Sequence, residues 1–121
     1  MMKSECSLEG IKQFFYDNYY KSIVIYGMGY EGTKLYDELC DTDIHILYGI
    51  DKNAGNIKVD GLSVVTVDEA DISQKVDAIV VTPFKFFAEI EANLEKKYPD
   101  GDIISLDDVR KYELIIRRAN G

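Results

Sequence analysis

Gly27, Gly29 and Gly32 fall in the order G-x-G-x-x-G, and their surroundings decide whether that spacing can do chemistry. Nine glycines in 121 residues produce such a spacing by chance now and then. Here it follows the apolar run Ser22–Tyr26 (SIVIY) without a gap and opens a stretch with Leu35, Tyr36, Leu39 and Cys40 at helical spacing. A strand that turns through such a loop into a helix offers free backbone N–H groups, and the positive end of the helix dipole, to a phosphate. The three glycines have separate duties. Gly27 permits the tight turn, Gly29 leaves room for a pyrophosphate against the backbone, and Gly32 lets the helix approach the strand. Tyr30 and Glu31 complete the loop. Glu31 suits the helix dipole but would repel a pyrophosphate if its side chain swung inward.

Asp51 closes the next apolar run, 19 residues after Gly32. A carboxylate there can accept hydrogen bonds from an adenosine ribose diol and would repel a 2′-phosphate, which Lys52 beside it could partly offset. If the ligand is a dinucleotide, NAD is therefore expected over NADP. The structural alternative is a bare tight turn at the glycines, with Asp51 capping the loop that Lys52-Asn53 begins. Thr82-Pro83-Phe84 ends another apolar run, where a hydroxyl and an aromatic can line a ligand cleft; equally, Thr82 could cap the helix that follows. His45, the single histidine, stands near the start of its strand, the wrong edge for chemistry in an open parallel sheet. Cys40 lies on a periodic helical stripe and reads as a small packed hydrophobe, and Cys6 as a free, inert thiol. Asp107-Asp108 reads as helix-start chemistry rather than a metal pair. No catalytic and no metal-binding residue is expected.

These residues need elements to hold them in place. Residues 8–20 carry Leu8, Ile11, Phe15 and Tyr19 at helical spacing, with Ser7 as N-cap. Tyr16 and Tyr20, four apart on a second helical face beside Glu9 and Gln13, point to a further burial partner and so to a homodimer. Ser22–Tyr26 and Ile44–Asp51 are expected strands, and Asn53–Asn56 is loop chemistry. Asp60-Gly61 turns into a strand at Leu62–Val67, followed by a short helix over 68–75. Asp77–Thr82 is the fourth strand. Pro83 stands where a first helical residue would, and Phe87, Ile90, Leu94 and Tyr98 repeat behind it until Pro99-Asp100-Gly101. Asp102–Leu106 is the fifth strand and Asp107–Arg118 the closing helix. Strands alternating with helices imply a parallel sheet in an α/β three-layer sandwich, with one extra N-terminal helix.

The segments SIVIYGMGYEGTKLYDEL, GIDKNAG, VDGLSVVTVDEA and DAIVVTP together resemble short NAD(P)-binding Rossmann-like domains of bacterial surface-polysaccharide pathways. Such domains are found fused to sugar-nucleotide dehydratases, sugar acyltransferases, sugar methyltransferases and glycosyltransferases. The resemblance covers about residues 21–110. It implies a sheet of order 3-2-1-4-5 and a ligand, NAD or a nucleotide-sugar, over Gly27, Gly29, Gly32 and Asp51. Thr82 matches the usual cofactor-facing position of such domains.

Composition narrows the function classes. Hydrophobic residues make up 46%, enough for the core of one domain spanning 1–121. The formal charge of −8 and a pI near 4.6 leave no basic stripe for nucleic acid and no attraction to an anionic membrane. MMKSECSLEG lacks the apolar core of a signal peptide, so the chain reads as cytoplasmic. A nucleotide-binding module without stand-alone catalysis is the leading expectation, since a dehydrogenase needs a second domain for its acid–base groups. A methyltransferase would carry an acid before the glycines, where Ile25-Tyr26 stands. The alternatives are an interaction domain that keeps the fold without the ligand and the cofactor half of an NAD-dependent sugar-nucleotide enzyme.

Overall fold

Strand β1 (Ser22–Tyr26) lies at the centre of a five-stranded, wholly parallel sheet of order β3-β2-β1-β4-β5. Its neighbours are β2 (His45–Ile50) and β4 (Ala78–Val81), with β3 (Val64–Val65) and β5 (Asp102–Ser105) at the edges. The computed structural model describes residues 11–83 and 85–120, the last five by backbone alone. Ser7, Leu8 and Cys6 thus lie outside the described residues.

The strands are apolar because both faces are covered. Ile23, Ile25, Ala78 and Val80 face one side, with Ile11 and Phe15 of α1 (residues 11–17), Leu35 and Leu39 of α2 (Tyr30–Leu39), and Leu106 and Val109 of α4 (Leu106–Asn120). Val24, Ile50, Ile79 and Val81 face the other side, under Leu94 of α3 (Phe87–Lys97) and Tyr98. The result is the expected three-layer α/β arrangement, with a helix ahead of β1. No described helix is long and apolar enough to cross a membrane.

Four local expectations need correction. The helix over 68–75 does not form. The chain closes a single turn through the Glu69 N–H bond to Thr66 O at 3.1 Å, and Asp71 Oδ1 then accepts at 2.8 Å the Ser73 N–H that a helix would give to the Glu69 carbonyl. Helix α3 begins at Phe87 rather than Pro83, with Phe86 at its N-cap in the left-handed region (φ +61°). The third strand is pared to two residues at the sheet edge. Tyr20 does not share a helical face with Tyr16, because α1 ends at residue 17 and Tyr19 turns left-handed (φ +61°). Tyr20 instead donates its hydroxyl to Asp102 at 2.6 Å and tilts against Phe14. Tyr16 and Tyr19 are the exposed pair.

Candidate functional site

The strand order reverses direction between β1 and β4, and an α/β sheet opens its ligand crevice at the carboxyl end of such a switch point. Gly27 leaves β1 there, and its N–H reaches across to Ile50 O at 2.7 Å. Its φ of +91° belongs to glycine, and a Cβ would stand 2.5 Å from Thr82 Oγ1 and 2.8 Å from Pro83 Cδ. Thr82 follows β4 and binds back: its N–H donates to Tyr26 O at 3.0 Å, and its hydroxyl lies 2.9 Å from Gly27 O. With its hydroxyl so engaged, Thr82 is not the cap of α3.

Met28 is turned down into the core, 2% exposed, in the space that Gly49 leaves by having no side chain. Its N–H donates to Asp51 Oδ2 at 2.9 Å, while Asp51 Oδ1 accepts the Asn53 N–H at 2.9 Å. Asp51 therefore ties the glycine loop to the turn after β2. Each carboxylate oxygen has a second lone pair, so the group keeps capacity to accept from a ligand. The capping expectation and the ligand expectation are thus compatible in one side chain.

Helix α2 starts at Tyr30. The first backbone bond into it runs from Thr33 N–H to Gly29 O at 3.0 Å, which leaves the Tyr30, Glu31 and Gly32 N–H groups ahead of it. A Cβ on Gly32 would lie 2.0 Å from Gly27 O, so this glycine is what allows the helix to sit against the loop. A Cβ on Gly29 would meet nothing within 4 Å.

Gly27, Gly29, Tyr30, Glu31, Asp51 and Thr82 line one open cleft of about 450 Å³, together with Pro83 and Lys85. Gly32 lies buried beneath the loop, and Lys52 stands on the exposed turn outside the lining. Sequence reasoning missed Lys85, because a helix begun at Pro83 would have carried it elsewhere. Tyr26, half-buried at the end of β1, has its phenol pushed up by burial and secondarily by the Asp51 charge.

The other tempting residues sit apart. His45 starts β2 at the amino edge, beside Cys40, Asp43 and Gly61. Cys40 is exposed rather than packed, since it ends α2 outside the core stripe. Burial of the sulfur and the nearby Asp41 and Asp37 charges push its thiol up, away from nucleophilic behaviour. A hollow of about 410 Å³ also lies at the amino edge, between residues 72–76 and the end of α3. Lys97, which lines it, is spent on the Val67 carbonyl at 2.5 Å, and no strand's carboxyl end faces it.

Fold and cleft define a parallel α/β domain with a rigid glycine loop at its switch point. A family model described as C2185-like, N-terminal, matches residues 19–104, more than two-thirds of the chain, and the protein belongs to that family. The matched span runs from the end of α1 to β5 and contains every lining residue of the cleft. No curated protein and no solved structure matches the chain.

Proposed function

We propose that the protein is a nucleotide-binding module that takes a phosphate-bearing ligand, NAD or a nucleotide-sugar, over Gly27–Gly32. One observation carries the reading: two glycines of the loop are required by their neighbours, while the third faces open space in the cleft. A side chain at Gly29 would cost the fold nothing in contacts, yet it would fill the place where a phosphate approaches the N–H groups of α2. Asp51, with one lone pair free on each oxygen, supports a sugar diol as the neighbouring group. Tyr30, Glu31, Asp51, Thr82 and Lys85 are the described lining side chains able to move a proton or donate a bond, and among the described residues none stands in a nucleophile–base pair. The reading is therefore binding without turnover by the isolated chain; the expected link to polysaccharide pathways rests on sequence resemblance alone.

The test is a thermal-shift screen against NAD, NADP, FAD, S-adenosylmethionine, coenzyme A and UDP-sugars. A ligand at 100 times its Kd adds about 2.7 kcal/mol of stability, and Gly29→Val should abolish the shift while leaving the apo melting temperature in place. If no nucleotide shifts the melting temperature, the interaction-domain reading replaces this one. Steady oxidation of a nucleotide-sugar by the pure protein with NAD would refute the absence of turnover.

A further inference from the structure

The cleft has a charge problem that its backbone cannot solve alone. Its ionisable lining residues are Glu31, Asp51 and Lys85, two carboxylates against one ammonium, in a protein of net charge −8. A diphosphate entering a pocket lined by Glu31 and Asp51 alone would meet like charge on both the α2 and β2 sides. Lys85 is the one cation among the described lining residues, and it approaches from the opposite rim, on the turn between β4 and α3.

Pro83 abuts Gly27 so closely that a Cβ there would fall 2.8 Å from its Cδ. Phe86 holds a left-handed backbone (φ +61°), and its carbonyl accepts the Ile90 N–H at 3.0 Å. Lys85 directly precedes Phe86, and its side chain lines the cleft. Among the described residues no ion pair or hydrogen bond engages its ammonium, although Glu31 and Asp51 line the same space. Asp51 is held by the Met28 and Asn53 N–H groups and the Glu31 charge acts on Arg110, so neither carboxylate is in direct contact with Lys85, whose charge is available for a ligand.

We propose that Lys85 is the phosphate anchor of this cleft, and that the ligand is a nucleoside diphosphate or its ester, gripped between the Lys85 ammonium and the N–H groups at the start of α2. This rests on the nucleotide reading and goes beyond it: the backbone supplies the seat, and Lys85 reverses the sign of the local field. Charge-neutral nucleosides should be indifferent to Lys85, and diphosphates should not.

The experiment titrates ADP, UDP, adenosine and uridine into wild type, Lys85→Met and Lys85→Arg by calorimetry, with thermal unfolding of each apo protein as control. ADP or UDP should bind wild type, and Lys85→Met should weaken that diphosphate about tenfold to a hundredfold. Lys85→Arg should restore the affinity to within about threefold, because it keeps the charge and the donors. Apo melting temperatures should coincide, since among the described residues Lys85 makes no hydrogen bond or ion pair. Lys85→Met binding the diphosphate within about twofold of wild type overturns this inference and leaves the nucleotide reading standing. An equal loss for the nucleoside would reduce Lys85 to a structural residue. No binding of either diphosphate by wild type overturns the Lys85 proposal, and the wider ligand screen then decides the nucleotide reading separately.

Discussion

Gly29 and Gly32 are three residues apart in one loop, and adding a side chain should have opposite consequences at each. A methyl group on Gly32 would stand 2.0 Å from the backbone oxygen of Gly27, which cannot move without breaking the Gly27 N–H bond to Ile50. Gly32→Ala should therefore cost about 2–3 kcal/mol or more in urea unfolding. Gly29 is the N-cap of α2 and its Cβ direction is empty, so Gly29→Asp should cap the helix and leave stability unchanged or raised by up to about 1 kcal/mol. The same aspartate should eliminate phosphate binding, because it places a carboxylate at the seat. Equal destabilisation by both variants would mean that Gly29 has no role beyond folding. Asp51 yields a second residue-scale expectation. If the ligand is a dinucleotide, NAD should bind more tightly than NADP, and Asp51→Asn should narrow the ratio by removing the charge that meets a 2′-phosphate. That variant should also cost about 1 kcal/mol, since an amide keeps one acceptor where the carboxylate now serves the Met28 and Asn53 N–H groups with two. Tighter binding of NADP by wild type, read by calorimetry, would remove Asp51 from the ribose position.

Strands buried on both faces were plain in the sequence; of the two edge strands, β5 was plain to within one residue and β3 was not. The centre of SIVIY is apolar because β1 has a layer on each side, and its bounds match the structure residue for residue. The edge strand β3 has one hydrogen-bonded neighbour, so Leu62–Val67 contracts to two paired residues. Pro83 misled because proline suits a helix start, whereas here it belongs to the rim of the cleft, and the error concealed Lys85. The positions of Gly27, Asp51 and Thr82 at one edge of the sheet were legible because each stands directly behind a strand. A side chain placed by a left-handed turn at Phe86 has no such signature. Contacts between helices were equally invisible. Arg110 of α4 makes a two-pronged bond to Glu38 of α2, at 3.1 and 2.8 Å, with both side chains mostly covered. The Glu38 bonds raise its already high pKa further. A cycle of Arg110→Met and Glu38→Gln should give a coupling energy of about 1–2 kcal/mol, more than an exposed pair supplies. A coupling below about 0.3 kcal/mol would make the pair incidental to the docking of α4.

For the whole molecule, shifted acids and phenols set the pH range in which this acidic fold is stable. Asp77 joins three strands at the amino edge. Its Oδ2 accepts the Lys21 and Ser22 N–H groups at 2.9 Å each, its N–H donates to Ser22 O, and its carbonyl accepts the Asp102 N–H. Burial works to raise this carboxyl and is the largest single influence. The two N–H bonds with the Lys75 and Lys21 charges outweigh it together, so the group stays below its usual value of 3.8. A depressed folded pKa gives stability that is complete above the unfolded value and is lost as pH falls through the folded one. Asp17, held down by Tyr112 and Gln13, acts in the same direction. At the other limit, burial first and the hydroxyl of Tyr48 second push Tyr98 well above 10. Tyr20 is raised too, by burial and then by Asp102. Neutral phenol is favoured in the fold, so that stability is complete below about pH 10 and is lost as pH rises toward the folded values. Further ionisation also adds negative charge to a chain already at −8, which strengthens the self-repulsion of the compact state. Unfolding free energy should accordingly be flat through neutral pH, and fall below about pH 4 and above about pH 10. Each proton of difference between the folded and unfolded states contributes a slope of about 1.4 kcal/mol per pH unit. Tyr98→Phe should be about 1 kcal/mol less stable at pH 7, having lost its bond to Tyr48, yet its alkaline slope should be shallower by a part of one proton. Urea unfolding of wild type and variant at half-unit steps from pH 8 to 11 decides the matter: parallel alkaline limbs would show that Tyr98 does not govern the loss.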